Sequence, residues 1–167
     1  MHFCQQMAVN EARQTGAGQA PDIQIQVKRL TETAKFPVRG SRFAAGYDLY
    51  ADLKEPVLIP PHKTVMISTG IAAAIPEGYF GAIFARSGLA AKQSLRPANC
   101  VGVVDSDYRG EWMVALHNDS DEPREVVPME RIAQCVIIPY LSVSFEEVSE
   151  LSDTERSAGG FGSTGSM

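Results

Sequence analysis

The segment GVVDSDYRGEW, from Gly102 to Trp112, places two carboxylates and a phenol between two apolar stretches. A carboxylate at the mouth of a turn can orient a water molecule and accept its proton as a general base. Tyr108 offers a flat apolar face that can pack on a sugar or a base. Asp-rich turns also occur for geometric reasons alone. The segment therefore predicts either a plain hairpin turn or a site at the hairpin tip with Asp105 as the base.

A second group of residues suited to chemistry is ARSGLAAK, which begins at Ala85. The sequence predicts one helix, Ser87 to Gln93, with Ser87 as its cap, because the residues that follow are good helix formers. Exposed amides at a helix start attract anions, and Arg86 adds charge and bidentate donors. The alternative is an ordinary capped helix with a surface arginine.

Two further segments carry polar groups in unusual settings. Arg131 and Gln134 lie at the start of the apolar run RIAQCVIIP, where a lone Gln is more often a satisfied edge residue than a ligand. In the tail ERSAGGFGSTG, glycines allow the backbone to close over a ligand, and hydroxyls and amides can bind phosphate. Phe161 has no core to pack into and suits a lid that stacks on a flat base. The alternative is a disordered tail with an incidental Phe.

The elements that must position these groups are short strands. Branched and aromatic residues, punctuated by Pro and Gly, predict about ten of them. The segments that carry these strands are DIQIQVKRL, PVLIPP, TVMISTGIAAAI, GYFGAIF, CVGVV, EWMVALHN, RIAQCVIIP and LSVSFEEV, of which the longest can hold more than one strand. This pattern favours an all-β sandwich, barrel or jelly roll with a single short helix.

Composition limits the classes of function. The 167 residues fit one domain, and a 44% apolar and 21% charged content is typical of a globular protein. The net charge of −5 argues against a general nucleic-acid binder, although it permits a small anionic ligand. No apolar run suits a membrane span, and the N-terminus has no signal-peptide pattern, so a cytoplasmic location is expected. Of Cys4, Cys100 and Cys135, the last two are expected to be buried thiols.

Taken together, the motifs resemble those of a known family. The set is AGYDLYA (45–51), RSGLAAK (86–92), NCVGVVDSDYRGEW (99–112), RIAQ (131–134) and RSAGGFGSTG (156–165). In this order and spacing it closely resembles the five motifs of the trimeric dUTP diphosphatases, or dUTPases, from about Asp22 to Gly165. One departure is Ser157, which stands where the family usually has Gly, and we expect it to alter the ordering of the tail at most.

The resemblance implies a distorted jelly roll, the dUTPase-like β-clip, assembled as a homotrimer with active sites shared between subunits. The expected organisation is a flexible extension at 1–20, the β domain at 21–151 and a flexible Gly-rich lid at 152–167. Closing edge strands within an oligomer suits a chain with many short strands.

The implied reaction is hydrolysis of dUTP to dUMP and pyrophosphate by water attack on the α-phosphorus. It keeps uracil out of DNA and supplies dUMP for dTMP synthesis. By this resemblance Asp105 orients and deprotonates the water, and Tyr108 packs against the deoxyribose and excludes ribonucleotides by shape. The uracil pocket is formed by the Asn99 amide, the backbone of Gly102, Val103 and Val104, and Met113.

The same resemblance assigns the phosphate contacts. The residues expected to hold the phosphates are Arg86, Ser87, Gly88 and Gln134, with Arg156 at the γ-phosphate. Phe161 stacks on uracil, and Gly162, Ser163 and Thr164 wrap the phosphate chain. Mg²⁺ is expected to be held mainly by phosphate oxygens and water, with Asp48 supporting Arg86 or the water shell of the metal ion. Asp107 is expected to be structural.

Three other functions fit parts of the sequence. A dCTP deaminase shares the fold, but that family usually carries a Glu where this chain has Asp105. A non-catalytic relative acting as a binding module would be indicated by loss of Asp105 or of the tail, and both are present. A generic jelly-roll lectin or structural protein leaves Arg86 and the aromatic tail unexplained.

Overall fold

The computed structural model describes residues 23–159. Within that range the chain forms twelve strands and one helix, joined by short turns. In chain order they are β1 (Gln26–Arg29), β2 (Val38–Arg39), β3 (Tyr47–Tyr50), β4 (Val57–Ile59), β5 (Thr64–Ile67), β6 (Ile71–Ala74), β7 (Tyr79–Phe84), α1 (Ser87–Gln93), β8 (Leu95–Pro97), β9 (Gly102–Val104), β10 (Val114–Asn118), β11 (Arg124–Val126) and β12 (Arg131–Pro139).

The strands form four antiparallel sheets. The largest has the order β2-β3-β12-β7-β9, and a three-stranded sheet has the order β5-β10-β8. The pairs β1-β6 and β11-β4 complete the layers. Consecutive strands repeatedly change sheet, which is the behaviour of a distorted jelly roll. The predicted all-β fold is confirmed.

A single apolar core lies between these sheets. Its most deeply buried side chains come from different sheets and include Leu49, Ile59, Ile67, Leu116 and Ile132, all at most 1% exposed. Most of the strands are only three to six residues long, so no sheet is stable alone. The core therefore fixes the relative positions of the strand ends, where the polar motifs lie.

A β-bulge interrupts the pairing of β12 with β3. Gln134 lies opposite Asp48, and Arg131 lies opposite Tyr50, with a register shift between Arg131 and Ala133. Residues 131 and 134 would point to opposite faces of a regular strand. The extra residue at the bulge brings Arg131 onto the same face as Asp48 and Gln134.

The predicted helix is confirmed, but its predicted cap is wrong. α1 spans Ser87–Gln93, and the N-cap residue is Arg86, in an extended conformation, with no side-chain capping hydrogen bond. Ser87 already has helical geometry, so it stands one position too late to cap.

Three further sequence predictions are wrong. The segments before and after Asp105 do not form a hairpin, because β9 pairs with β7 whereas β10 pairs with β5 and β8. The segment LSVSFEEV, 141–148, has no strand pairing within the described residues and is exposed. Cys100 is exposed, although Cys135 is buried as predicted, and burial raises the pKa of the Cys135 thiol to about 12.

No helix within residues 23–159 is long and apolar enough to cross a membrane.

Candidate functional site

Two arginines converge on one nearly buried carboxylate at the end of the large sheet. Asp48 is 9% exposed, and its two oxygens accept from Arg86 Nε at 2.8 Å and Arg131 Nη1 at 3.2 Å. Arg86 lies at the junction of β7 and α1, and Arg131 reaches Asp48 because of the bulge. One carboxylate opposite two guanidinium groups leaves an excess positive charge. The carboxylate also holds both arginines in place.

Both arginines line a cavity of about 530 Å³, which we call the arginine pocket. Its lining residues include Lys35, Arg86, Gly88, Glu130 and Arg131. Lys35 lies over the ring of Tyr50, with Nζ 4.1 Å from the ring centroid. Ser87 and Gly88, at the start of α1, are exposed. The three cations Lys35, Arg86 and Arg131 outnumber the two carboxylates of Asp48 and Glu130, so the pocket has the electrostatics of an anion-binding site in a chain that is acidic overall.

Gln134 is fixed beside this pocket by two contacts. Its Nε2 donates to the carbonyl of Ala85 at 2.9 Å, next to Arg86. Its side chain also lies against Gly46, where a Cβ would overlap Oε1 and lie 3.1 Å from Cδ. The glycine in AGYDLYA is thus required by a close approach, because any larger residue must displace Gln134.

The second group of predicted residues lies on β9, the outer strand of the large sheet. β9 pairs only with β7 among the described strands, so the backbone of Gly102, Val103 and Val104 has a free edge. Asn99 folds against this strand, since a Cβ on Gly102 would lie 3.2 Å from Asn99 Nδ2. We call this face, with Asn99, Asp105, Tyr108 and the exposed Met113, the edge-strand site.

A tight turn carries the predicted base and the tyrosine. The amide of Tyr108 donates to the carbonyl of Asp105 at 3.2 Å, and both side chains are exposed. The Tyr108 hydroxyl donates to the carbonyl of Glu111 at 3.1 Å. The ring packs directly over Gly110, where a Cβ would lie 2.6 Å from Cζ. The ring is therefore held in one orientation while its outer face stays open.

The arginine pocket and the edge-strand site are far apart in one chain. Val104 pairs with Gly81 of β7, and Asp105 follows on the side away from Arg86. Arg86 lies five residues beyond Gly81 in an extended run, a span of about 17 Å at 3.3 Å per residue. This separation is compatible with the predicted active site shared between subunits, and the sharing itself stays a prediction.

The beginning of the tail has some local order. Arg156 is exposed, and its Nε donates to the carbonyl of Gly159 at 2.9 Å. Ser157 has a φ of 42°, in the left-handed region that favours glycine. The backbone conformation thus suits the glycine usual in the family motif better than it suits serine. Phe161, Gly162, Ser163 and Thr164 lie outside the described residues.

Sequence reasoning missed two cations of the arginine pocket. Arg131 was noticed only as a polar residue at a strand start, and strict alternation puts it on the wrong face. Lys35 precedes Phe36 in an irregular stretch, and no motif marked it. Across residues 23–159 there is no cluster of three or more His, Cys, Asp and Glu side chains suited to a metal ion.

The fold and the arginine pocket define an all-β protein with a site suited to an anionic ligand. Comparison with known proteins identifies the family. Residues 32–165 match the family model described as dUTPase. The chain is 47% identical over 143 residues to the deoxyuridine 5'-triphosphate nucleotidohydrolase of Nautilia profundicola, covering 86% of this chain and 99% of that protein. The corresponding protein of Hydrogenobaculum sp. is 46% identical over 143 residues, with the same coverage.

Solved structures agree with the sequence relatives. The Staphylococcus bacteriophage 80alpha dUTPase with dUPNHPP superposes with a TM-score of 0.78 at 31% identity, covering 86% of this chain and 99% of that one. This chain belongs to the dUTPase family.

Proposed function

We propose that the chain hydrolyses dUTP to dUMP and pyrophosphate at a site that combines the edge-strand site of one protomer with the arginine pocket of another. The observation that carries this proposal is the separation of the two sites within one chain, together with their complementary chemistry. The edge-strand site presents the general base Asp105, an aromatic face of the size of a sugar, and a free strand edge. The other presents cations for a phosphate chain.

In the proposed reaction Asp105 orients a water molecule and accepts its proton as the water attacks the α-phosphorus. Its exposed position at the end of β9 supports this role. The bond from the α-phosphorus to the bridging oxygen breaks, and pyrophosphate leaves. Tyr108 packs against the deoxyribose, since its ring is fixed and its outer face is open.

Uracil is read by the edge of β9. The free backbone groups of Gly102 to Val104 pair with the base as a neighbouring strand would, and the Asn99 amide, held against Gly102, supplies one donor and one acceptor. Met113 lines the same pocket. A base bound edge-on to a rigid strand leaves no room for the 5-methyl group of thymine, which gives selectivity by shape.

The arginine pocket holds the phosphates in this model. Arg86 and the start of α1 at Ser87 and Gly88 face the chain of phosphate groups, and Gln134 supports that surface through Ala85. The tail supplies Arg156 to the γ-phosphate and Phe161 as a lid on the uracil ring. Gly162, Ser163 and Thr164 wrap the phosphate chain.

The residues present fit a magnesium ion that is carried by the substrate. Mg²⁺ would neutralise charge on the phosphate oxygens as pyrophosphate leaves. Both oxygens of Asp48 already accept from arginines, which suits indirect support through Arg86 rather than direct ligation. Mg²⁺ retains most of its waters in protein sites, so phosphate oxygens and water are the assigned ligands.

Gly46→Ala tests the phosphate side of the site. The new methyl group displaces the Gln134 side chain and breaks its bond to Ala85. We expect kcat/KM for dUTP to fall about tenfold, the scale of one hydrogen bond near charged groups. Gly40→Ala is the matched control, because a Cβ there meets nothing within 4 Å among the described residues. Equal kcat/KM for dUTP in the two variants would contradict the proposed role of Gln134 in the phosphate-binding surface.

A homotrimer with exchanged C-terminal arms completes the proposed site. Within the described residues the arm, residues 141–151, is unpaired and exposed, with Leu141, Val143 and Phe145 alternating along it.

An apolar groove of about 810 Å³ lies beside β1, and its lining includes Arg39, Arg42 and Trp112. In the described part of the chain the Trp112 indole N–H is buried without an acceptor, and β1 has a free edge. The acidic arm of a second copy supplies both apolar side chains and carbonyls.

Lysine substitutions on one face of the arm test the exchange. The double variant Leu141→Lys and Phe145→Lys is expected to dissociate the trimer in analytical ultracentrifugation, because it puts charge into an apolar groove that already holds two arginines. Ser142→Lys with Ser144→Lys adds the same charge on the opposite face of an extended arm and should retain the trimer. A trimer that persists in the first variant would contradict arm exchange.

The lid role of the tail makes a separate prediction. Ordering a Gly-rich segment costs roughly 1–2 kcal/mol per residue, which only contacts with base and outer phosphates together can offset. A non-hydrolysable dUTP analogue with Mg²⁺ should protect residues 152–167 from proteolysis and hydrogen exchange, and dUMP should protect them much less. Equal protection with and without nucleotide would contradict the lid role.

The experiment that tests the whole proposal is pyrophosphate release from dUTP compared with dCTP, dTTP and UTP. Release from dUTP alone is expected. Ammonia release from dCTP would indicate the deaminase alternative. Nucleotide binding without any product would indicate a binding module.

We place the reaction in the cytoplasm. Within residues 23–159 Cys100 and Cys135 are both free thiols, which suits a reducing compartment.

A further inference from the structure

The orientation of the Tyr108 ring depends on a contact outside its own turn. The residue is 46% exposed, and its hydroxyl donates to the backbone carbonyl of Glu111, not to a side chain in the core. The orientation of the ring therefore depends on how firmly the backbone at Glu111 is fixed.

Glu111 is anchored by its carboxylate to the turn between β5 and β6. Its Oε1 accepts from the Ser68 hydroxyl and from the amide of Gly70, the latter at 2.8 Å. The following residue, Trp112, is tied to the same turn, since its amide donates to Ile71 and its carbonyl accepts from Thr69. This turn links the tyrosine-bearing segment to the core, in place of the hairpin that is absent here.

We propose that Glu111 is a positioning residue that fixes the Tyr108 ring and so sets the discrimination of this enzyme against ribonucleotides. The inference rests on the proposed function, in which Tyr108 packs against the deoxyribose. A ring rejects a 2'-hydroxyl by shape only if it cannot move aside, whereas it can still contact deoxyribose after a small shift. Loss of the anchor therefore affects UTP and dUTP differently.

Glu111→Ala tests the proposal through the ratio of kcat/KM for dUTP to kcat/KM for UTP. We expect this ratio to fall about tenfold, because small misplacements of a contact group have effects of this size or larger. Glu111→Gln keeps the Oε1 acceptor and should retain the wild-type ratio within about twofold. Ser68→Ala removes one of the two donors and should lie between them. Asp121→Ala, a 96% exposed carboxylate paired with His62, is the control for loss of a surface charge.

An equal fall in kcat/KM for both nucleotides in Glu111→Ala would overturn the proposal, since it would indicate a purely structural role. An unchanged ratio in both Glu111→Ala and Ser68→Ala would overturn it as well, and the Ser68 variant serves if Glu111→Ala fails to fold. The wild-type protein tests the proposed function separately. If it does not hydrolyse dUTP, or does not prefer dUTP to UTP, the proposed function fails whatever the variants show.

Discussion

Asp105→Asn is expected to lower the turnover of dUTP by roughly 10²–10⁴-fold, the usual contribution of a general base. The amide keeps the shape of the side chain but cannot accept the proton of the attacking water. Asp105 follows the outer strand β9 and is exposed, so the substitution disturbs no packing. Nucleotide affinity should stay within a few-fold of wild type, because the base, sugar and phosphate contacts remain. Single-turnover pyrophosphate release and equilibrium binding of a dUTP analogue measure the two effects.

Asp107→Asn is the matched control within the same turn. It removes an equal charge two residues away, and it should leave turnover close to wild type. Near-normal turnover of Asp105→Asn combined with a large loss in Asp107→Asn would move the base to Asp107. A thermal melt of each variant separates loss of chemistry from loss of fold.

Mixing two inactive variants is expected to restore activity. Asp105→Asn damages only the edge-strand site, and Arg86→Ala damages only the arginine pocket, which lies about 17 Å away along the sheet. If one protomer supplies Asp105 and another supplies Arg86, a randomly mixed trimer at equal ratio contains intact sites at about one quarter of positions. Neither parent protein contains any. The expected activity of the mixture is therefore about one quarter of wild type.

Subunit exchange must be verified, for which differently tagged variants and tandem purification suffice. A purified mixed trimer without activity would contradict the shared site and would require both groups to act on one ligand within one chain. A matched mixture of Asp105→Asn with Tyr108→Ala, two changes on the same site, should show no more activity than the average of its two parents. This second mixture excludes contamination by wild-type protein.

Local chemistry was readable from the sequence. The helix Ser87–Gln93 was predicted at its observed bounds because its residues are good helix formers, and burial of Leu89 in the core adds to its stability. The Asp105–Tyr108 turn was predicted because Asp and Gly mark turns wherever they occur. The order and spacing of the five motifs predicted the family, and the comparisons confirm this prediction. The roles of individual site residues remain predictions.

The positions of these motifs relative to one another depended on tertiary structure. An alternating pattern predicts strands but not their partners, and β9 and β10 joined different sheets instead of forming a hairpin. The bulge in β12 turned Arg131 toward Asp48, against the alternation of its own strand. The segment LSVSFEEV at 141–148 has a strand pattern and yet no partner among the described residues. A strand is stable only when another backbone satisfies its hydrogen bonds, and the pattern of one segment does not contain that information.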